Sequence, residues 1–161
     1  MSVAHKLASY LGENGVAVEV VAHRRTATAA QTAHASHVPA ERVAKAVLLR
    51  DGRGYLLAVL PASHHLELAA VERLCGRPVS LASEDEIGRL FPDCEFGSVP
   101  PVGAAYGLPA LVDDALAGQS DLYLEAGDHL HLLHVSGEAF AGLMRDVCHG
   151  RFSVAGPAAW G

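Results

Sequence analysis

Two alternating apolar segments within residues 43–60, joined by Asp51-Gly52, constrain the fold of this chain more than any other feature. An Asp-Gly pair between such segments is typical of the tight turn of a β-hairpin. Strand side chains alternate between two faces, so Val43, Lys45 and Val47 are predicted to share one face. That face is apolar except for Lys45. We therefore predict a hairpin that carries a single cation on an apolar face.

Lys45 is one of only two lysines among the 161 residues. A lysine in an apolar row must reach water with its stem, pair with an anion, or have its pKa lowered by desolvation. Two interpretations follow from the residues alone. Lys45 is either a strand lysine whose ammonium group reaches solvent, or a cation at the bottom of a pocket.

The other elements are predicted from apolar spacing and from capping and breaking residues. Helices are expected over 5–13, 28–34, 67–75, 84–90 and 138–147, and further strands over 16–22, 108–112, 121–124 and 130–135. Interleaved helices and strands around an Asp-Gly hairpin favour one compact α/β (mixed α+β) domain with a mixed sheet flanked by helices. We place that domain at 1–152 and a flexible tail at 153–161, where Trp160 could dock.

Composition and charge exclude several classes of protein. Half of the residues are hydrophobic, and no run approaches the roughly 18 apolar residues of a membrane span. Three scattered cysteines fit free thiols in a reducing compartment, so we expect a cytoplasmic protein without a membrane partner. The net charge of −6 argues against binding of long nucleic acid. Residues 1–53 carry a net charge of +3, which fits a few phosphate contacts at one place.

Common catalytic and metal-binding motifs are absent from the sequence. It contains no GxSxG motif, phosphate-binding loop or dinucleotide fingerprint. His129 and His131 are predicted on one face of a strand, where an HxH pair can bind metal, but none of the ten histidines fits HExxH or a Cys/His zinc spacing. We therefore expect neither a metal nor another cofactor.

The segment from Gly97 to Gly103, with Pro100 and Pro101 inside it, is predicted to be a rigid loop. Such a loop can present its N–H groups, on Ser98, Val99, Val102 and Gly103, to a carbonyl or phosphate oxygen. The alternative interpretation is a stiff connection between a helix and a strand.

Four segments together resemble the YbaK-type editing deacylases, relatives of the insertion domain of bacterial prolyl-tRNA synthetase. These segments are Arg42-Val43-Ala44-Lys45-Ala46-Val47-Leu48-Leu49, Leu57-Ala58-Val59-Leu60-Pro61-Ala62, Gly97-Ser98-Val99-Pro100-Pro101-Val102-Gly103 and Leu111-Val112-Asp113. The resemblance extends from about His5 to Val147, in the same order and spacing.

The resemblance implies a mixed, partly barrel-like sheet and hydrolysis of the ester of mischarged tRNA, usually tRNA for proline. Lys45 matches the essential lysine of the family, and the segment of Gly97, Ser98, Val99, Pro100 and Pro101 matches its GxxxP loop. His23, ahead of Thr26, matches an early-loop histidine, and Gly127-Asp128-His129 resembles a segment whose histidine lines the amino-acid pocket. Ala46 stands where some members carry a polar residue, which leaves the amino-acid specificity open.

The remaining candidates are expected to contact the substrate around this centre. Val102, Gly103 and Asp113 are candidate substrate-binding residues, although an Asp that caps the next helix is an equal alternative for Asp113. Arg24, Arg25 and Arg42 are candidates for phosphates of the tRNA acceptor stem or are solvated surface residues. The expected partners are the acceptor end of aminoacyl-tRNA and a prolyl-tRNA synthetase, with the chain a monomer or weak dimer. The alternative function is a non-catalytic module that binds aminoacyl-tRNA or a synthetase.

Overall fold

A computed structural model describes residues 3–156 of the chain. Its helices are α1 (His5–Glu13), α2 (Ala29–Ala35), α3 (Leu68–Cys75), α4 (Glu84–Leu90) and α5 (Gly137–Leu143), with short 3-10 turns at Ala40–Arg42, Gly103–Tyr106 and Asp114–Leu116. Its strands are β1 (Glu19–Ala22), β2 (Val43–Asp51), β3 (Gly54–Pro61), β4 (His64–Leu66), β5 (Val79–Leu81), β6 (Ala110–Asp113), β7 (Asp121–Glu125), β8 (His131–Ser136), β9 (Cys148–Gly150) and β10 (Ser153–Ala155).

The predicted hairpin is the centre of a mixed sheet. Strands β2 and β3 pair over their whole length, from Ala44 opposite Pro61 to Asp51 opposite Gly54. The sheet order is β1-β8-β7-β2-β3-β6-β9, and β5 also pairs with β2. The pairs β2–β7, β3–β6 and β6–β9 are parallel and the others antiparallel. The prediction of a mixed α+β domain built on the hairpin is confirmed.

Helices and loops cover both faces of β2. Ala44 and Leu48 pack into the largest apolar cluster, which includes Leu7 of α1 and Phe140 of α5. On the other face, Val43 packs with residues of α2 in one cluster, and Leu49 packs with residues of α3 in another. Because α2 and α3 lie over different ends of this second face, its apolar contacts form two clusters rather than one.

Capping residues set the starts of three helices as predicted. Thr28 Oγ1 accepts a hydrogen bond from the N–H of Gln31, and Ser136 Oγ accepts one from Ala139. Ser83 and Glu86 form a complete capping box at the start of α4. Helix α3 ends at Gly76, whose φ of 73° is the left-handed conformation that glycine adopts readily.

The differences from prediction concern short or terminal elements. The first strand begins at Glu19 rather than at residue 16, and α5 ends at Leu143 rather than at residue 147. Ser153–Ala155, expected in the flexible tail, instead form β10 and pair with His64–Leu66. A three-residue strand has too few side chains to show an alternating pattern, so its pairing is visible only in three dimensions. Trp160 lies outside the described residues.

Candidate functional site

The edge of β2 opposite β3 changes partner part-way along the strand. Val43 and Ala44 pair with the end of β7, whereas Leu49–Asp51 pair with β5. Lys45–Val47 lie between these two pairings and have no strand partner on this side. They are partly exposed, although the residues flanking them in β2 are buried. We call this opening at Lys45–Val47 the β2 gap.

The backbone of Ala46 faces the β2 gap. The carbonyl of Val43 accepts from the N–H of Ala62 on the β3 side, and the carbonyl of Leu48 accepts from the N–H of Ala82 on the β5 side. Successive residues of a strand direct their polar groups to opposite sides, so Ala46 shares the direction of Leu48. Its N–H and C=O therefore form a donor and an acceptor without a strand partner, at the centre of the sheet.

Lys45 projects from the same opening. Its side chain is half-buried, and it makes neither an ion pair nor a side-chain hydrogen bond with any residue of 3–156. Burial lowers its pKa from the ordinary value for a lysine. An unpaired, partly desolvated cation gains more than a solvated one from an incoming anion, because less water screens the contact. A half-buried lysine without an anionic partner is available to an incoming anion, as the pocket interpretation of Lys45 requires.

Only the first residue of the Gly97–Gly103 loop is exposed. Residues 96 and 97 are exposed, whereas 98–103 are buried. Val99 and Val102 belong to the same apolar cluster that Ala46 contacts. A Cβ atom on Gly103 would lie 2.8 Å from the carbonyl oxygen of Leu108, so close packing requires glycine there. Most of the loop is therefore anchored in the core.

The hydrogen bonds of Ser98 differ from those expected. Its backbone N–H donates to the carbonyl of Glu95 (3.2 Å), so it is not available to a substrate oxygen as the sequence suggested. The bond closes a tight turn over residues 95–98. Glycine and proline favour several types of turn, so the sequence did not show that this N–H is used within the turn. Within the described chain, the N–H of Val99 has no backbone or side-chain acceptor. Val99 thus remains the better candidate for a loop donor.

His129 packs directly against the start of the loop. It adopts a left-handed backbone conformation (φ 60°), and its Nε2–H donates to the carbonyl of Phe96. A Cβ atom on Gly97, whose φ is 86°, would lie 3.2 Å from Cε1 of His129 and 3.3 Å from the carbonyl oxygen of Ala27. Glycine at position 97 therefore lets three segments meet: the entry to α2, the loop and the turn before β8.

Glu125 is a further candidate for the site that was not predicted from the sequence. It ends β7 and directly follows Leu124, the partner of Ala44, so it lies at the margin of the β2 gap. It is only 2% exposed, and its Oε2 accepts a hydrogen bond from Ser98 Oγ (3.1 Å). The strand predicted over 121–124 stopped one residue before it. Its burial depends on the pairing of β7 with β2 and on Ser98, so no local pattern in the sequence identifies it.

Three predicted residues have structural roles around this centre. Thr26 is buried, and its hydroxyl is hydrogen-bonded to that of Thr32 (2.5 Å), which holds the segment between β1 and α2 against α2. Gly127 (φ 100°) allows close approach of Ala4, which a Cβ atom would meet at 2.8 Å. The backbone N–H of His23 donates to the carbonyl oxygen of Leu130, the residue just before β8. The Nε2 atom of His23 is buried and has no hydrogen-bond partner among residues 3–156.

The three candidate arginines differ in availability. Arg25 is paired with Glu95 (2.5 Å) and Arg42 with Asp121 (2.7 Å). Arg24 is exposed and forms no ion pair or side-chain hydrogen bond within the described part of the chain. A phosphate must compete with a carboxylate for the first two arginines but not for Arg24.

Asp113 lies apart from the gap, on the far side of β3 from β2. Its Oδ1 accepts from the N–H of Ala115, and its Oδ2 accepts from the N–H of Phe152 (2.9 Å) and the hydroxyl of Ser153 (2.8 Å). It is 3% exposed. The structure therefore supports the capping alternative for Asp113 rather than an anchor for a substrate amino group.

The histidines named as candidate metal ligands are engaged separately. Residue 129 precedes β8 rather than lying in it, so His129 and His131 do not share a strand face. His131 Nδ1 bonds to the buried carboxylate of Asp128 (2.5 Å), whereas the ring of His129 bonds to Phe96. In residues 3–156, no three His, Cys, Asp or Glu side chains are grouped as metal ligands.

Comparison with protein families gives a match over most of the chain. Residues 23–143 match the model of the aminoacyl-tRNA editing domain, and this range contains the β2 gap, the loop and His129. The chain belongs to this family. No curated protein matches the chain. The assignment to the editing-domain family therefore rests on the match to the family model over three quarters of this chain.

Solved structures share the fold of this editing domain. The hypothetical protein APE2540 is 23% identical with a TM-score of 0.82, and the alignment covers 93% of this chain and all of that one. A proposed trans-editing enzyme for prolyl-tRNA synthetase is 24% identical with a TM-score of 0.82, over 94% and 97% of the two chains. A protein from Marinobacter aquaeolei VT8, described as a signal transduction protein, is 23% identical with a TM-score of 0.76, over 95% of this chain and 31% of that one. These likenesses confirm the predicted fold.

A cavity of the editing domain lies apart from most of the candidate residues. A cavity of about 350 Å³ opens between the Asp114–Leu116 turn and α5, but Asp113 is the only candidate residue that lines it. The partly exposed β2 gap, with its unpaired groups, therefore defines the candidate site better than this cavity does.

None of the helices described is long and apolar enough to span a bilayer.

Proposed function

We propose that this editing domain is a trans-editing deacylase that hydrolyses the ester bond of mischarged tRNA. The observation that carries the proposal is the β2 gap, where the cation of Lys45 lies next to the N–H and C=O of Ala46 that have no strand partner. Glu125, at the margin of this gap, is hydrogen-bonded to Ser98 of the Gly97–Gly103 loop. An aminoacyl ester is already activated, so its hydrolysis needs positioning and stabilisation of negative charge more than a strong nucleophile. Both requirements match what the gap offers.

Lys45 is assigned to the end of the tRNA. A protonated lysine in a half-buried opening attracts the terminal phosphate or the ribose oxygens. Contact with a phosphate opposes the effect of burial on the pKa of Lys45, so the bound lysine stays charged. This contact fixes the ester relative to the strand and does not require the lysine to act as a base.

The backbone N–H of Ala46 or of Val99 is assigned to the ester carbonyl oxygen. As water adds to the carbonyl carbon, the free ribose hydroxyl of the terminal adenosine takes one proton from it and passes its own proton towards the ester ribose oxygen, while negative charge develops on the carbonyl oxygen. Collapse of the tetrahedral intermediate breaks the bond between the carbonyl carbon and the ester ribose oxygen, which keeps the relayed proton, and the amino acid leaves as a carboxylic acid that releases its own proton to solvent. Removal of one donor to such an oxygen costs about 10²–10³ in rate.

The proposed substrate is tRNA for proline that carries a small wrong amino acid such as alanine, cysteine or serine. The resemblance to prolyl editing domains and the proposed prolyl trans-editing enzyme of the same fold support this choice. A wall formed by Ala46 adds little bulk, and each methylene of a substrate changes binding by only about 1–3 kcal/mol. Discrimination among these three amino acids is therefore expected to be modest. A prolyl-tRNA synthetase is the proposed protein partner, and the proposed location is the cytoplasm.

The test is a panel of tRNA for proline charged separately with alanine, serine, cysteine, threonine and proline, with and without a chelator. We expect loss of the small wrong amino acids, unaffected by chelator, and abolition of that loss in Lys45→Ala. Lys6→Ala is a matched control because Lys6 is the only other lysine and lies on α1. Binding without hydrolysis of any substrate would instead support the non-catalytic module, and activity sensitive to chelator would support a metal enzyme.

A further inference from the structure

The mechanism above leaves one buried ionisable group at the margin of the β2 gap unused. Glu125 is 2% exposed and ends the strand that borders the gap. A buried carboxyl group is costly unless its surroundings satisfy it. Its contacts therefore indicate what this position contributes.

Glu125 fixes two segments of the site through one hydroxyl group. Ser98 is fully buried, and its Oγ–H donates to Oε2 of Glu125 (3.1 Å). The same Oγ accepts the backbone N–H of His129 (3.2 Å). The chain of bonds runs from the turn before β8, through the loop, to the end of β7. Because a serine hydroxyl has only one proton, loss of the Glu125 acceptor would free that proton to reorient.

The two segments joined in this way, the turn before β8 and the start of the Gly97–Gly103 loop, contain backbone conformations that depend on neighbouring contacts. His129 holds a left-handed backbone conformation that is uncommon for residues other than glycine, and its ring contacts the residue before Gly97. Such a conformation persists only where neighbouring contacts determine it. The bond from the His129 N–H to Ser98, itself oriented by Glu125, is one such contact.

We propose that Glu125 is a positioning residue for the deacylase reaction and, through Ser98, holds the start of the Gly97–Gly103 loop and His129 in the arrangement that receives the aminoacyl end. The inference rests on the proposed function. It assigns to Glu125 no contact with substrate: its effect passes through Ser98.

The electrostatic surroundings of Glu125 make this positioning sensitive to pH. Burial raises the pKa of Glu125 to about 7, Asp128 adds to the rise, and the hydroxyls of Ser98 and Thr32 oppose it. Lys45, which follows the Ala44 partner of Leu124 on β2, makes no ion pair with Glu125. Ionised Glu125 accepts a stronger, charge-assisted hydrogen bond from Ser98. The site is therefore expected to be better ordered above about pH 7 than below it.

The experiment compares Glu125→Gln, Glu125→Ala and Ser98→Ala in kcat and KM for alanyl-tRNA specific for proline, between about pH 5.5 and 8.5. Glu86→Gln is the matched control, since Glu86 is also a buried glutamate but caps α4 and bonds to Tyr55. We expect wild-type kcat to rise through an apparent pKa near 7. The Gln variant should lose that transition, and Glu86→Gln should keep it. The two Ala variants should lower kcat by about 10²-fold with little change in KM, because a misplacement of about 1 Å costs that much. A Gln variant with the wild-type pH profile would overturn the proposal.

A second measurement separates this inference from the proposed function. The backbone amide of His129 is followed by NMR across the same pH range in wild type, Glu125→Gln and Glu86→Gln. We expect its chemical shift to titrate near pH 7 in wild type and Glu86→Gln but not in Glu125→Gln. If wild type hydrolyses no substrate yet this titration occurs, the deacylase is wrong and the positioning stands. If the amide does not titrate in wild type, the positioning by Glu125 is wrong.

Discussion

His129 and Phe96 are joined by a hydrogen bond from the ring Nε2–H of the histidine to the carbonyl oxygen of the phenylalanine. Because a carbonyl oxygen only accepts, the proton of the neutral ring resides on Nε2 and leaves Nδ1 as an acceptor. The bond also fastens the turn before β8 to the residue preceding Gly97. The shape of the site at this point depends on a contact between segments 33 residues apart in sequence.

Gly97→Ala is expected to lower both stability and deacylation. A Cβ atom would meet His129 and the carbonyl of Ala27 at 3.2 and 3.3 Å, and a φ of 86° is unfavourable for alanine. We expect a loss of about 1–2 kcal/mol in the free energy of unfolding and a fall in kcat. Urea denaturation and deacylation assays measure the two effects. The control Gly88→Ala, in α4 with open space around it, should instead stabilise the fold by about 0.5–1 kcal/mol. Equal stability of both variants would contradict this view of Gly97.

Asp113→Ala is expected to destabilise the fold by about 2–4 kcal/mol. The substitution leaves the N–H groups of Ala115 and Phe152 without their buried acceptor. Thermal and urea denaturation measure the loss, with the exposed neighbour Asp114→Asn as the control. Asp113→Asn distinguishes the two interpretations of this residue. A stable Asn variant that has lost deacylation alone would restore the role of a substrate anchor.

Arg24→Ala is expected to weaken tRNA binding more than Arg25→Ala or Arg42→Ala does. Arg24 has no carboxylate partner within the described residues, whereas the others are paired with Glu95 and Asp121. Binding measured at several salt concentrations should show the slope of log K against log salt reduced by about 1 in Arg24→Ala. In the converse experiment, Glu95→Gln frees Arg25 and should tighten binding. Equal effects of the three Ala variants would rule out this ranking.

The ion pairs of His134 are expected to stabilise the fold in a limited pH window. Asp121 and Glu19 raise the pKa of His134 above its ordinary 6.5, and His134 lowers the pKa of Asp121 below its ordinary 3.8. The contribution of protonated His134 is therefore complete below about pH 6.5 and is lost as the pH rises through the higher folded value. That of Asp121 is present above about pH 3.8 and is lost as the pH falls through its lower folded value.

His134→Gln should remove this dependence, which amounts to no more than about 1 kcal/mol for partly exposed pairs. Urea denaturation at pH 5.5 and 8.5 would show wild type losing more stability at the higher pH than the variant does. His5→Gln, at the exposed start of α1, is the control. A variant with the same pH dependence as wild type would show that the His134 pairs contribute nothing measurable.

Local chemistry made much of the fold predictable. The Asp51-Gly52 turn and the alternation around Lys45 predicted the central hairpin, and Thr28, Ser83 and Ser136 predicted three helix starts. These features depend on neighbours within a few residues, so the sequence displays them directly. The family followed from four short segments in a fixed order, and the match over residues 23–143 confirms it.

Tertiary structure alone decided how the site is assembled. Nothing in the sequence near Lys45 indicates that one edge of β2 pairs first with β7 and then with β5. Nor does it indicate that the N–H and C=O of Ala46 have no strand partner on that edge, because strand partners are chosen by contacts distant in the chain. The same applies to Glu125, which follows the strand predicted over 121–124 and is buried with its side chain bonded to Ser98. The sequence by itself determined the central hairpin, the helices, the longer strands and the cation, since turns, caps and alternation are local, whereas the three-residue strands β4, β5, β9 and β10 were not predicted. The gap, the buried carboxyl and the pairing of the arginines depend on packing between segments far apart in sequence.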